Sequence, residues 1–212
     1  MLRRVTRRTV VAATAAALAG CSGNGGSGTP GNGETEPGDD GTPTTAGDAD
    51  ADNPAVGDAE QQGDLRLTSP AFADGEPIPK TYGRNAANVN PPLSIRNVPG
   101  EAASLTLIVD DPDAVAPAGK VWLHWLVWNV PPSTTEIPEA WEPTTAVEGT
   151  NDFGERRYDG PAPPDETHTY RFKLYALGTT LDLQPSASKR DVGAAMRGHL
   201  LARTQLTGTY AP

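Results

Sequence analysis

Cysteine is nearly absent from this chain. Among 212 residues Cys21 stands alone, which excludes an internal disulfide framework and a cysteine-based zinc site. Basic charge is scarce as well: four lysines and 13 arginines face 27 acidic side chains, for a net charge of −10. Phosphate backbones are bound by basic faces, so no nucleic-acid partner is expected. The apolar stretch VVAATAAALAG, residues 10–20, is too short to cross a bilayer. Motifs that announce chemistry are missing too. No GxSxG elbow, Walker loop or HExxH pair occurs, and the one thiol sits where it would be lipidated, so a non-enzymatic role is expected.

What is present divides the chain in three. Arg3, Arg4, Arg7 and Arg8 precede the apolar stretch, which ends in Leu18-Ala19-Gly20-Cys21. This is the pattern of an export signal over residues 1–20 with a lipobox, so Cys21 is the expected lipid-attachment site. Arg7-Arg8 directly before the apolar run reads as a twin-arginine signal, which exports folded proteins; ordinary Sec export is the alternative. Residues 21–62 are dominated by Gly, Thr, Pro and acidic side chains. They cannot offset the entropy of ordering, which predicts a disordered acidic tether. Residues 63–212 suffice for one domain with one core. Loss of residues 1–20 removes four arginines, leaving 13 of the 17 basic side chains against 27 acidic ones, a net charge of −14. Such a surface suits high salt, where screening weakens self-repulsion. The only membrane contact expected is through the lipid.

Within the domain, strands dominate. Residues 105–109, LTLIV, form an apolar run typical of a strand covered on both faces, and it ends at Asp110-Asp111-Pro112-Asp113. Residues 121–130 form a second strand. Period-two alternation puts Trp122, His124, Leu126 and Trp128 on one face and Leu123, Trp125 and Val127 on the other. Residues 168–177 form a third, with His168, Tyr170, Phe172 and Leu174 facing a core and Thr169, Arg171 and Lys173 facing solvent. A helix is expected from Ser188, through Val192, Ala195, Met196, His199 and Leu200, to Arg203, followed by a closing strand over residues 205–210. The many glycines and prolines between these elements predict loops rather than a helical bundle. Two of the three histidines, His124 and His168, open apolar runs where a core would favour Val or Leu. A polar pocket at the strand ends is the reading.

The segments DDPDA, HWLVWNVP and GPAPP followed by HTYRFKLYAL resemble the phosphatidylethanolamine-binding protein (PEBP) family, in particular its prokaryotic Raf-kinase-inhibitor-like branch. The likeness spans about residues 65–212. It implies a mainly β fold, a sandwich of one large antiparallel sheet and one smaller sheet with one or two short helices. It also implies a shallow pocket for a small phosphorylated or anionic ligand, with no cofactor. The matching positions are Asp111 and Asp113, His124, Gly160 and Pro161, and His168 and Tyr170. Two imidazoles and a phenol can donate to oxyanions, a carboxylate can orient an imidazole, and Gly160 permits a close backbone approach. Two positions depart from the family pattern. Val115 and Ala116 precede Pro117 where proline commonly follows directly, and Glu166 stands where glycine is common. Some relatives inhibit proteins, so a protease or kinase bound by the pocket-rim loops is the alternative partner. Core histidines, a His-carboxylate metal site and histidine-based hydrolysis or isomerisation are weaker readings, since no HxH or HxxxH spacing and no activated hydroxyl is evident.

Overall fold

A computed structural model describes residues 64–212 of the chain. The expected signal peptide, Cys21 and the tether lie outside the described residues. Among the described residues eight strands run in chain order: β1 (Arg66–Thr68), β2 (Leu93–Arg96), β3 (Ser104–Asp111), β4 (Trp122–Val130), β5 (Glu136–Ile137), β6 (Val147–Glu148), β7 (His168–Leu177) and β8 (Leu200–Tyr210). They form two antiparallel sheets, a small one in the order β1-β2-β5 and a large one in the order β6-β4-β3-β7-β8. Two α-helices accompany them, α1 (Val115–Ala118) and α2 (Lys189–Met196). Among the described residues no helix is long and apolar enough to cross a membrane.

Both faces of the large sheet are covered, which explains its unbroken apolar strands. One face meets the small sheet. There Leu107, Val109, Trp125, Val127, Phe172 and Leu174 pack with Leu67, Leu93, Ile95 and Ile137. On the other face Ile108, Leu123, Leu126, Trp128 and Tyr175 pack under Val192 and Met196 of α2. Alternate residues of β3 therefore enter two different cores. The most central strand is β3; β4 is its neighbour, bordered beyond by only the two residues of β6.

Three expectations need correction. First, Arg171 and Lys173 are not a solvated face: Lys173 is buried and Arg171 mostly so, because α2 covers that side of the sheet. Second, strict alternation fails in β4. Val109 pairs with Trp125 while Asp110 pairs with Leu123, so His124 is an extra residue in a β-bulge. As a result Leu126 and Trp128 share a face with Leu123, whereas His124, Trp125 and Val127 lie toward the sandwich core. Third, the helix starts as expected, with Ser188 and Asp191 making a complete capping box, but stops at Met196. Gly198 adopts φ 78° there, and residues from Leu200 onward pair with β7 instead. Met196 is core, whereas His199 is exposed in the turn.

Candidate functional site

The polar tips of β3, β4 and β7 converge at one end of the large sheet. Asp111 closes β3 and is buried. Its Oδ1 accepts the backbone N–H groups of Asp113 (2.9 Å) and Ala114 (3.1 Å), and its Oδ2 accepts Nδ1–H of His168 at 2.7 Å. The turn that follows becomes α1, which Val115 and Ala116 open and Gly119 ends at φ 74°.

His168 opens β7 with its side chain 2% exposed. Its second nitrogen, Nε2, lies 3.0 Å from Oδ1 of Asp165. Carboxylates only accept, so both contacts are satisfied together when the ring carries both protons. Burial works against that cation, but Asp111 and then Asp165 outweigh it and raise the His168 pKa.

His124 behaves in the opposite way. Its Nδ1 lies 2.7 Å from the carbonyl oxygen of Asp159, so Nδ1 carries the proton and Nε2 is the acceptor of the neutral ring. Burial pulls its pKa down more strongly than that carbonyl and the nearby carboxylates raise it. The sequence expectation that both imidazoles donate therefore applies to His168, and to His124 only after it gains a proton. The loop that supplies this carbonyl is held by its own polar contacts. Asp159 is fully buried and accepts from Asn88 Nδ2 and Asn151 Nδ2 (both 2.9 Å), with Arg157 at 3.5 Å and Arg84 at 3.7 Å.

Asp111, His124, His168 and Tyr170 share the wall of a cavity of about 210 Å³ with Trp122, Phe153, Ala114, Pro117, Ala118, Ala162 and Pro164. The His124 ring lies edge-on to both Tyr170 (5.2 Å) and Phe153 (5.4 Å). The Arg84 guanidinium stands 4.2 Å over Phe153 and brings positive charge to the rim. Four buried side-chain polar atoms lack a hydrogen-bond partner among the described residues, and two of them, Tyr170 Oη and Trp122 Nε1, belong to this wall. Burial pushes the Tyr170 phenol up; the Asp111 carboxylate, near enough to Oη to act by charge and as an acceptor, adds to this and the Ala162 backbone opposes it, although no hydrogen bond of regular geometry forms. A larger groove of about 600 Å³ runs beside β1 and β8, but none of its lining residues is a histidine.

Three expected site residues stand outside this wall. Asp113 accepts the Thr169 N–H at 2.8 Å and so ties the turn to the start of β7. Gly160 donates to Asn88 Oδ1 at 2.8 Å, and a side chain there would meet the carbonyl oxygen of Tyr82 at 2.0 Å. Pro161 accepts the Arg84 N–H at 3.0 Å. All three hold loops in place around the cavity. Sequence reasoning missed Trp122 as a donor, Asp159 as the group that orients His124, and Asp165. Among the described residues no group of three His, Cys, Asp or Glu has the geometry to hold a metal.

Comparison with known proteins agrees with this architecture. The sequence model described as phosphatidylethanolamine-binding protein matches residues 68–211. The chain belongs to the phosphatidylethanolamine-binding protein family. A UPF0098 protein of Methanothermobacter thermautotrophicus is 48% identical over 151 residues, covering 69% of this chain and 98% of the relative. The PEBP homologue CT736 of Chlamydia trachomatis is 42% identical with a TM-score of 0.66, over 69% of this chain and 96% of that structure. YbcL of E. coli, described as a new member of the mammalian PEBP family, is 32% identical with a TM-score of 0.64, over 69% of this chain and 97% of that structure. LppC of Mycobacterium tuberculosis, whose name proposes a lipoprotein, is 37% identical over 99% of this chain and 97% of the relative. The PEBP fold expected from the motifs, two antiparallel sheets with few short helices, is the fold of this domain.

Proposed function

We propose that this PEBP-family domain is a binding module whose cavity takes a small phosphorylated or otherwise anionic ligand. One observation carries the reading: Trp122 Nε1 is a buried donor without a protein partner and Tyr170 Oη one without a hydrogen bond of regular geometry, on the same wall as a histidine whose charged form is favoured. An unpaired buried donor costs free energy, and a ligand oxygen would recover it. The remaining wall is Ala, Pro and Phe, which suits an apolar group attached to the anionic head. The lining contains no Ser, Thr or Cys, which favours binding over covalent catalysis. His124 enters as an acceptor, so it suits a ligand that brings a proton, such as a phosphate monoester with one P–OH group.

The test is a titration of the domain with phosphate and with phosphoethanolamine in high salt, following the His124 and His168 rings by NMR. Saturable shifts at both rings are expected. Phosphate affinity, read by calorimetry, should be lost in the His124→Ala, His168→Ala double variant; retained affinity there would sink the reading. Silent rings in the wild type would instead move the function to the loops and a protein partner.

We infer that the domain is exported and lipid-anchored at Cys21. The lipobox-like residues 18–21 and the likeness to LppC across nearly the whole chain support this. Mass spectrometry of the detergent-extracted protein should find diacylglycerol on Cys21, and Cys21→Ser should release the domain from membranes. Loss of export on Arg7→Lys, Arg8→Lys substitution would point to the twin-arginine route.

A further inference from the structure

Asp165 belongs to the loop just before β7, three residues ahead of His168. Its Oδ1 accepts from His168 Nε2 and from the Glu166 N–H, both at 3.0 Å. An imidazolium has two N–H groups. Asp111 takes one of them from the interior, where it is also held by the Asp113 and Ala114 amides. The other is the one an incoming oxyanion would require, and Asp165 already has it.

The two carboxylates differ in their freedom to let go. The Asp111 side chain is 5% exposed, whereas that of Asp165 is 51% exposed and can turn out into water. They also differ in what they leave undone. With Asp165 seated, Trp122 Nε1 is still without a partner and Tyr170 Oη makes no hydrogen bond of regular geometry. A single carboxylate thus answers one of three donors on this wall.

We propose that Asp165 is a built-in competitor that occupies the oxyanion position of His168, so that a ligand binds by displacing it. This rests on the anion-binding reading above. The exchange is favourable for a tetrahedral oxyanion, whose several oxygens can serve His168, Tyr170 and Trp122 together. It is close to neutral for a planar carboxylate, which offers little that Asp165 does not. Asp165 therefore sets both the affinity of the cavity and its preference for phosphoryl groups over carboxylates.

The test uses residues 64–212, a stretch that corresponds to almost the whole of the Methanothermobacter relative. Inorganic phosphate and acetate are titrated into wild type, Asp165→Ala and Asp165→Asn, with the His168 ring nitrogens observed by NMR. Asp165→Ala should bind phosphate about ten-fold tighter. Asp165→Asn, which keeps an acceptor but loses the charge, should fall between. Acetate should shift His168 in the alanine variant and not in the wild type. If Asp165→Ala folds poorly, the near-isosteric Asn variant carries the comparison, and a three-fold gain suffices. Saturable phosphate binding with equal affinity in all three proteins overturns the inference and leaves the anion reading intact. Silent His168 signals in all three overturn both.

Discussion

Asp110 and Asp111 are neighbours in sequence and opposites in use. Adjacent strand residues point to opposite faces, so Asp110 enters the face covered by α2 and Asp111 the face that holds the cavity. Asp110 is fully buried and accepts from Arg171 Nε (2.8 Å), Lys173 Nζ (2.6 Å) and Lys189 Nζ (2.9 Å). The lock joins β3, β7 and α2. Asp111 spends its oxygens on orienting the α1 turn and His168, and the wall beside it keeps unpaired donors. The difference separates a cluster whose polar groups answer one another from one that leaves hydrogen bonds to be made by something else.

The sharpest way to break the comparison is Asp110→Asn. Three cationic side chains would lose their shared counter-charge in a buried setting, a change that costs about 3–5 kcal/mol when one partner of a buried pair is removed. Burial and the neighbouring Lys189 and Arg171 already hold Lys173 down at about 8 against the pull of Asp110, so the variant should shed that proton more readily. Urea denaturation should show a large drop in midpoint. Phosphate binding by whatever remains folded should be unchanged, because no residue of this cluster lines the cavity.

The same contrast should appear as pH is varied. Burial pushes Asp110 up, but Lys173, Lys189 and Arg171 together outweigh it and hold it at about 2, below the ordinary 3.8. Its contribution is present above 3.8 and is lost as pH falls through 2, for about 2 kcal/mol in all. His168 is raised above its ordinary 6.5, so its contribution is complete below 6.5 and fades as pH rises through the folded value. Acid should therefore loosen the α2 face, and pH rising above 6.5 the cavity face. Stability measured across pH 2–9 checks this: His168→Gln should flatten the upper limb and leave the lower one.

Asp111→Asn comes next in size. It removes a charge-assisted bond but leaves an oxygen for the Asp113 and Ala114 amides, so a loss of about 1–2 kcal/mol is expected. The more telling readout is the His168 titration, which should move down without its buried carboxylate. An unchanged His168 midpoint would mean that Asp165 alone sustains the cation.

These contrasts show what was legible in the sequence. The strands were, because LTLIV and HTYRFKLYAL are apolar wherever a doubly covered strand must be, and β7 spans the expected residues 168–177. The motif residues Asp111, His124, His168 and Tyr170 were legible by resemblance, and they do meet in one cavity. Lys173 and Arg171 were not. Alternating polar residues look the same whether water or a helix bearing Lys189 covers them, and Asp110 looks the same as Asp111 until register assigns the faces. The bulge at His124 was hidden too, since an extra residue breaks the period without changing composition. Gly198 did carry a signal for the end of α2, which helical spacing alone overran. Asp165 had one clue, its place three residues before a pocket histidine, but loop acids are common and its meaning lies in a distance.

The smallest expected effect is the one that separates the two faces most cleanly. Tyr170→Phe removes a buried hydroxyl that makes no hydrogen bond of regular geometry. In a cluster where every polar group is answered, such as the Asp110 lock, such a deletion strands another group and costs stability. Here it strands nothing, so stability should stay within about 0.5 kcal/mol of the wild type or rise by up to about 1 kcal/mol as the desolvation penalty disappears. Phosphate affinity should nevertheless fall several-fold, because the ligand loses one of its three donors. Calorimetry of unfolding and of phosphate binding on the same sample reads both quantities. A variant that loses stability would mean the phenol is bonded within the protein, and the cavity would then be no more open to a ligand than the Asp110 lock behind it.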